Sequence, residues 1–260
     1  MRDHMDDRMH CLIDPKNDLS IFSIFDGHGG DSVADYLESK YSSHIFEKVS
    51  TNITVTDEEK YLKNIEEEIT KCIHEVDEKI IEMDTARIYT GSTLCSAVIQ
   101  NNKYLTIANV GDSRAIACDF QGNCVTLTRD HKPSDEKEKK RIEEAGGVVT
   151  QDGEDCERVQ GILAMTRAMG DASLKARKYL IVDPDVTTYD LTKDKFRYII
   201  IASDGLFDEF EDDELIQRTN LYLQDNGNES FSKLAHFLCL DAINHGTEDN
   251  VSVLIVKLLL

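Results

Sequence analysis

The 260-residue sequence has no tryptophan and only 3 prolines, and no apolar run in it comes near the ~20 residues of a membrane span. An integral membrane protein built on helices is therefore excluded. The opening Met1-Arg2-Asp3-His4 lacks the apolar stretch of a secretory signal. No Gly/Ser-rich stretch divides the chain, so a single domain over residues 1–260 is expected. No two cysteines have Cys-x-x-Cys spacing, and the 7 present (Cys11, Cys72, Cys95, Cys118, Cys124, Cys156, Cys239) are odd in number. A disulfide scaffold and a zinc site are both disfavoured, and reduced thiols in a cytoplasmic or nuclear compartment are expected. Several of these cysteines lie in apolar strands, where a thiol packs as a small hydrophobe. No internal repeat of fixed period is present.

Negative charge is abundant. Asp and Glu number 50 against 29 Lys and Arg, for a formal net charge of −21. That argues against nucleic acid as a partner, since such binding draws its affinity from cations on phosphates. Most of the excess reads as solvated surface, including the helix face around Glu66-Glu67-Glu68. An acidic protein also repels phosphorylated ligands unless cations at the site reverse the local field.

β-Branched, apolar segments predict strands at Leu19–Phe25, Ser92–Gln100, Tyr104–Val110, Ala115–Asp119, Phe196–Ala202 and Val251–Leu258. Thr56 to Glu59 matches a capping box, and Leu62, Ile65, Ile69, Ile73, Val76 and Ile80 follow as an apolar helical stripe. Further helices are predicted from Asp31 to Val49, from Ser134 to Gly146-Gly147, over Asp212–Leu223 and over Phe231–Asn244. Strands cluster mid-chain and helices come in pairs. That layout points to antiparallel sheets covered by helices rather than a doubly wound parallel sheet.

At four places an apolar strand runs into or out of an aspartate. Phe25 leads to Asp26-Gly27-His28, Val110 to Gly111-Asp112, and Ala202 to Ser203-Asp204, while Asp249 precedes Val251–Val256. Strand ends hold carboxylates rigidly, and converging carboxylates take up protons unless cations neutralise them. Oxygen ligands without Cys or clustered His favour Mg²⁺ or Mn²⁺ over Zn²⁺. Gly27 has no Cβ to keep its carbonyl from a cation. Asp-Gly after a strand is equally a common turn, and spacing alone leaves both readings open.

Motif order adds a resemblance. Arg2-Asp3-His4-Met5-Asp6-Asp7 and Phe25-Asp26-Gly27-His28-Gly29-Gly30 are followed by Gly91-Ser92-Thr93 and Asn109-Val110-Gly111-Asp112-Ser113-Arg114. Then come Asp130-His131-Lys132-Pro133, Glu144-Ala145-Gly146-Gly147, Arg158-Val159-Gln160-Gly161 and the run Leu163 to Asp171. Ala202 to Asp208 and Asp249-Asn250 close the series. In this order they resemble the metal-dependent, type 2C protein serine/threonine phosphatases over nearly the whole chain.

The resemblance implies an α+β fold, a four-layer αββα sandwich with a central antiparallel β-sandwich flanked by paired helices. It implies hydrolysis of phosphoserine and phosphothreonine in proteins by a water bridging two Mg²⁺ or Mn²⁺ ions. By matching position, Asp26 would bridge both ions and Gly27 would offer its carbonyl to one. Asp204 and Asp249 would hold the other, with Asp112 and Asp204 at a third, weaker one. Asp6 and Asp7 would orient ion-bound waters, Arg2 would grip the phosphate, and His28 would protonate the leaving alkoxide. His131, Arg114, Arg167 and Asp171 are expected to be scaffold. Residues Lys175 to Tyr179 are expected, by analogy, to shape substrate access.

The sequence departs from the family pattern in places. The strand that usually precedes Arg2 is missing, Asp6 stands for the usual Glu, Phe207 for Trp and Thr166 for Ser. A monomer acting on phosphoproteins is expected, with neither membrane nor nucleic acid as partner. The alternative is a pseudophosphatase, the same fold serving as a binding scaffold; an unrelated two-metal nuclease is a more distant one.

Overall fold

The computed structural model describes residues 4–50, 58–83, 89–153, 156–227 and 231–258. Its first part runs β1 (Arg8–Asp14), β2 (Leu19–Phe25), β3 (Gly27–His28), α1 (Ser32–Val49), α2 (Glu58–Met83) and β4 (Gly91–Ser92). Next come β5 (Leu94–Gln100), β6 (Tyr104–Val110), β7 (Arg114–Asp119), β8 (Cys124–Thr126), α3 (Glu136–Glu144), β9 (Val149–Thr150) and β10 (Arg158–Val159). The remainder is β11 (Met169–Gly170), α4 (Ala172–Lys175), β12 (Asp185–Asp190), β13 (Phe196–Ala202), α5 (Asp204–Phe207), α6 (Asp212–Asn226), α7 (Phe231–His245) and β14 (Val253–Lys257).

Two larger sheets carry the fold, ordered β1-β2-β5-β6-β12 and β14-β13-β7-β8, and every pairing in them is antiparallel. Side-chain alternation explains how they stack. On β5, Leu94 and Val98 point into a core shared with α1 and α2, whereas Cys95, Ala97 and Ile99 point the other way, onto the second sheet. On β13, Ile199 and Ile201 meet the first sheet while Tyr198, Ile200 and Ala202 pack beneath α6 and α7. The order is therefore helices, sheet, sheet, helices: the expected αββα sandwich. Strands buried on both faces need apolar residues at every position, which is why these segments read as continuous runs.

The helix of the apolar stripe is α2, with Ile65, Ile69, Ile73, Val76 and Ile80 all buried. Its proposed cap, Thr56, lies outside the described residues. Among the core residues of α2 sits Asp77, whose Oδ1 accepts the Gly170 amide at 2.7 Å and whose two oxygens each lie 2.6 Å from Lys175 Nζ. The helix predicted from Ser134 begins at Glu136, because Asp135 and not Ser134 accepts the exposed amide, from Lys137. The stretch Ser92–Gln100 divides: Gly91–Ser92 joins a separate small sheet, β11-β4-β3. Strands β1 and β12 were not expected; both are edge strands with half-exposed, mixed sequences.

Ile69 has no exposed surface. Ile69→Ala is expected to lower stability by about 2–5 kcal/mol, seen as a lower urea midpoint with an unchanged slope. Met83→Ala, on the exposed end of the same helix, is expected to shift it by less than about 0.5 kcal/mol.

Candidate active site

Strand direction gathers the aspartates. With β5 antiparallel between them, β2 and β6 run the same way, and Ile24 and Asn109 both pair with Cys95. Ala202 at the end of β13 pairs with Val253 at the start of β14 and with Arg114 at the start of β7. The segments carrying Asp26, Asp112, Asp204 and Asp249 therefore emerge at one end of the sandwich. The crossing from β6 to β7 turns at Gly111, where φ is +104° and a Cβ would sit 2.7 Å from Thr93 Cγ2, so only glycine fits.

Hydrogen bonds fix these loops to one another. The Asp26 amide donates to Thr93 Oγ1 at 3.0 Å, and the Thr93 hydroxyl lies 2.6 Å from that of Ser113. The Ser203 hydroxyl donates to Asp7 Oδ2 at 2.9 Å and accepts the Ser252 amide at 3.0 Å. The Asp6 amide donates to Asn250 Oδ1 at 2.8 Å. The segment around Asp6 and Asp7 is thus stitched to the Asp249 loop. It runs so close to β3 that a Cβ on Gly27 would lie 2.5 Å from the Asp6 carbonyl oxygen.

The result is a cleft of about 580 Å³ with Asp26, Asp112, Asp204, Asp208 and Asp249 on its walls, beside Gly27 and His28. Burial first, then the charges of Asp204, Asp7, Asp112 and Asp249, holds the Asp26 carboxyl well above the usual carboxylate range. Burial, followed by the Asp204 charge, pushes Asp112 up to about 8. Burial, with Asp208 and Asp249, pushes Asp204 up to about 6. Asp7 is raised too, by burial and against the pull of the hydrogen bond it accepts from Ser203. Asp26 thus stands among like charges that disfavour its ionised form.

Among the described residues no three acidic, histidine or cysteine side chains are drawn together closely enough to grip an ion as they stand. The fit to a cation rests on the donors. Asp112 Oδ1 and Asp204 Oδ1 are buried without a hydrogen-bond partner among the described residues. All the converging donors are hard oxygens, and each raised carboxyl is one that a divalent cation would ionise. The residues present therefore fit Mg²⁺ or Mn²⁺.

Sequence reasoning did not single out Asp208, Lys132 or Arg158, all of which line the cleft. Lys132 Nζ lies 3.5 Å from Asp208 Oδ1 and 3.7 Å from Asp130 Oδ2, and the acids around it keep it charged despite its burial. Part of the lining is apolar, with Tyr89, Ile162, Leu163 and Met165. Lys175 to Tyr179, expected to shape access, are not among the lining residues; Lys175 is spent on Asp77. Arg2 lies outside the described residues.

The residues set aside as scaffold have partners. His131 is buried, with Nδ1 accepting the Gly111 amide at 3.1 Å. Arg114 forks onto Asp130, reaches Asp212 at 2.6 Å and lies over the Phe207 ring, so the residue at that position still packs. Arg167 pairs with Glu138. Asp171 is different: its Oδ2 lies 2.7 Å from His28 Nε2.

Together, an αββα sandwich and a carboxylate-walled cleft at the shared end of its sheets define an α+β protein with a hard-cation site. The family model described as Protein phosphatase 2C matches residues 1–251, and the chain belongs to that family. It is 38% identical over 258 residues to protein phosphatase 1L of Bos taurus, covering 98% of this chain and 69% of that protein. It is 33% identical to the probable protein phosphatase 2C 45 of Oryza sativa subsp. japonica, covering 93% of this chain and 77% of the relative. Among solved structures, a C. elegans sex determining protein superposes with a TM-score of 0.85 at 29% identity; the match spans 99% of this chain and 62% of that one. A serine-threonine phosphatase 2C from Toxoplasma gondii, at 23% identity and a TM-score of 0.83 over 99% of this chain and 92% of its own, bears on the fold alone. The chain is thus a metal-dependent protein serine/threonine phosphatase, and the scaffold-only alternative is not favoured.

The raised carboxyls set a pH dependence. Groups whose folded-state pKa is raised stabilise the fold below the unfolded value, and that stability is lost as pH climbs through the folded value. In chelator, the melting temperature is expected to fall between about pH 5 and pH 8, the range spanned by Asp204 and Asp112. Mn²⁺ is expected to raise it by an increment that grows with pH. Asp112→Asn is expected to flatten the upper part of the chelator profile, as read by differential scanning fluorimetry.

Proposed function

We propose that Asp26 and the Gly27 carbonyl, with Asp204 and Asp249, hold two Mg²⁺ or Mn²⁺ ions, and that Asp112 and Asp204 serve a third, weaker one. The observation that carries this reading is the convergence of carboxyls on one cleft with Asp26, Asp112 and Asp204 all raised. Cations bound there supply an acidified water and neutralise charge on the phosphoryl group. Asp6 and Asp7, on the stretch beside Gly27, orient waters at the site; Asp7 is itself held by Ser203. Arg2 grips phosphate oxygens through its planar fork. His28 protonates the departing serine or threonine oxygen, a general-acid task that an imidazole beside the metal-binding residues can perform.

The proposed substrate is a phosphoserine or phosphothreonine in a protein, taken by a monomer. Residues 1–260 work as one catalytic unit, a reading supported by two sheets that share both a core and the cleft. A net charge of −21 speaks against nucleic acid as substrate. A cytoplasmic or nuclear setting is proposed from an odd set of 7 cysteines without Cys-x-x-Cys spacing.

With Mn²⁺, hydrolysis of a phosphothreonine peptide is expected and is abolished by chelator. Asp204→Asn is expected to reduce kcat/KM by about 10²-fold or more, since loss of residues that merely support a metal ligand costs about 10–100-fold. Turnover indifferent to chelator, or to Asp204→Asn, would count against the assignment.

A further inference from the structure

We infer that His131 is a positioning residue for Asp112: it grips the peptide groups on both sides of Gly111 and so fixes the direction in which the Asp112 carboxyl enters the cleft. The inference rests on the weaker third ion proposed above for Asp112 and Asp204.

Asp112 lies in the turn by which the chain passes from β6 in the first sheet to β7 in the second. Its carboxyl lines the cleft. Gly111 before it holds φ +104° and has no side chain whose packing could keep that conformation. Peptide groups are planar, so the course of the chain into Asp112 is decided by the two torsions of Gly111. His131 holds the planes on either side of those torsions. The Gly111 amide donates to His131 Nδ1 at 3.1 Å, and the His131 amide donates to the Gly111 carbonyl at 3.0 Å. That carbonyl shares its plane with the nitrogen and Cα of Asp112, so fixing it orients the start of Asp112.

His131 is itself held from several sides. It has no exposed surface. Its carbonyl accepts the Thr166 amide at 2.8 Å and the Thr166 hydroxyl at 3.0 Å. Its Nε2 lies 3.3 Å from Asp185 Oδ2, a charge contact without the geometry of a hydrogen bond. Asp185 opens β12, where it pairs with Asn109 of β6. The Asn109 side-chain amide donates to the Gly111 carbonyl and to the Arg129 carbonyl, at 3.2 Å each. The grip on Gly111 thus comes from a residue 20 positions away, anchored in turn by the Thr166 segment and by β12.

Small rotations at Gly111 matter for a metal ligand. With a lever of about 4 Å, a rotation of about 10° carries the Asp112 carboxyl about 0.7 Å, more than the ~0.5 Å a built site tolerates. Asp112 Oδ1 has no hydrogen-bond partner among the described residues, so that oxygen depends on the backbone for its aim. Asp26, Gly27 and Asp249 lie on other loops, beyond β2 and before β14. Loosening Gly111 therefore weakens the third ion and spares the other two.

Asparagine and glutamine tell the two ring nitrogens apart. The amide of asparagine stands as many bonds from the main chain as Nδ1, and that of glutamine as many as Nε2. Wild type, His131→Asn, His131→Gln, Thr166→Val and Asp112→Asn are titrated with Mn²⁺, free ion being read by electron paramagnetic resonance. Asp112→Asn is expected to remove the loosest class of sites. His131→Gln is expected to weaken that class by about 10–100-fold and to leave the tighter class within about twofold. His131→Asn, which returns an acceptor to the place of Nδ1, is expected to recover most of the affinity. Thr166→Val takes one bond from the His131 carbonyl at constant volume; it is expected to weaken the same class by about twofold or more, and it carries the test should the His131 variants not fold. On a phosphothreonine peptide, the kcat that His131→Gln loses at low Mn²⁺ is expected to return at saturating Mn²⁺, with KM for the peptide unchanged. In metal-free wild type, NMR is expected to show scalar coupling between the Gly111 amide nitrogen and His131 Nδ1 through their hydrogen bond; its absence would refute the contact itself. Equal losses in His131→Asn and His131→Gln, or losses shared by both classes of site, would make His131 a brace of the fold and overturn the inference. A loose class absent from wild type, or indifferent to Asp112→Asn, would instead overturn the third-ion reading on which the inference rests.

Discussion

Repulsion among carboxylates gathered in one cleft is the constraint to which the rest of the site answers. Two unit charges 4 Å apart near a protein surface interact by about 4 kcal/mol, and Asp26 feels Asp7, Asp112, Asp204 and Asp249 at once. Left to themselves such groups spread apart or take up protons. Here they are held by strand ends that cannot spread, because both sheets are packed on two faces. The raised carboxyls are the form that repulsion takes in this protein.

The supporting parts make sense in that light. Thr93, Ser203 and Asn250 are uncharged, and each fixes the loop of an acidic residue by a hydrogen bond. Lys132 offsets part of the negative charge at Asp112 and Asp204. The apolar part of the lining, Leu163 and Met165 among it, lowers the local polarity and so strengthens charge interactions in the cleft. Scaffold pairs such as Arg114 with Asp130 hold β7 beside the cleft without entering the chemistry.

Much of the fold was legible from the sequence because burial on both faces leaves a continuous apolar run. β2, β6 and β13 have the bounds their composition predicts. β1 and β12 were not legible: at the sheet edge, polar and apolar residues mix and propensity is weak. Asp26, Asp112, Asp204 and Asp249 could be found from strand ends, but only register places those ends together. Asp208 and Lys132 lie in segments with no local pattern that marks a cleft. The contact of Asp171 with His28 depends on the pairing of β3 and β11 through a glycine, a long-range arrangement with no local signature. Roles, as opposed to positions, came from the order of family motifs.

The central claim is that the gathered protons occupy the place of cations. Calorimetric titration of Mn²⁺ into the metal-free protein at pH 7, repeated in buffers of different ionisation enthalpy, counts the protons released on binding. The account expects net release from carboxyls held above their usual range, and a smaller release in Asp26→Asn. Binding without proton release, or a release unchanged in that variant, would contradict it.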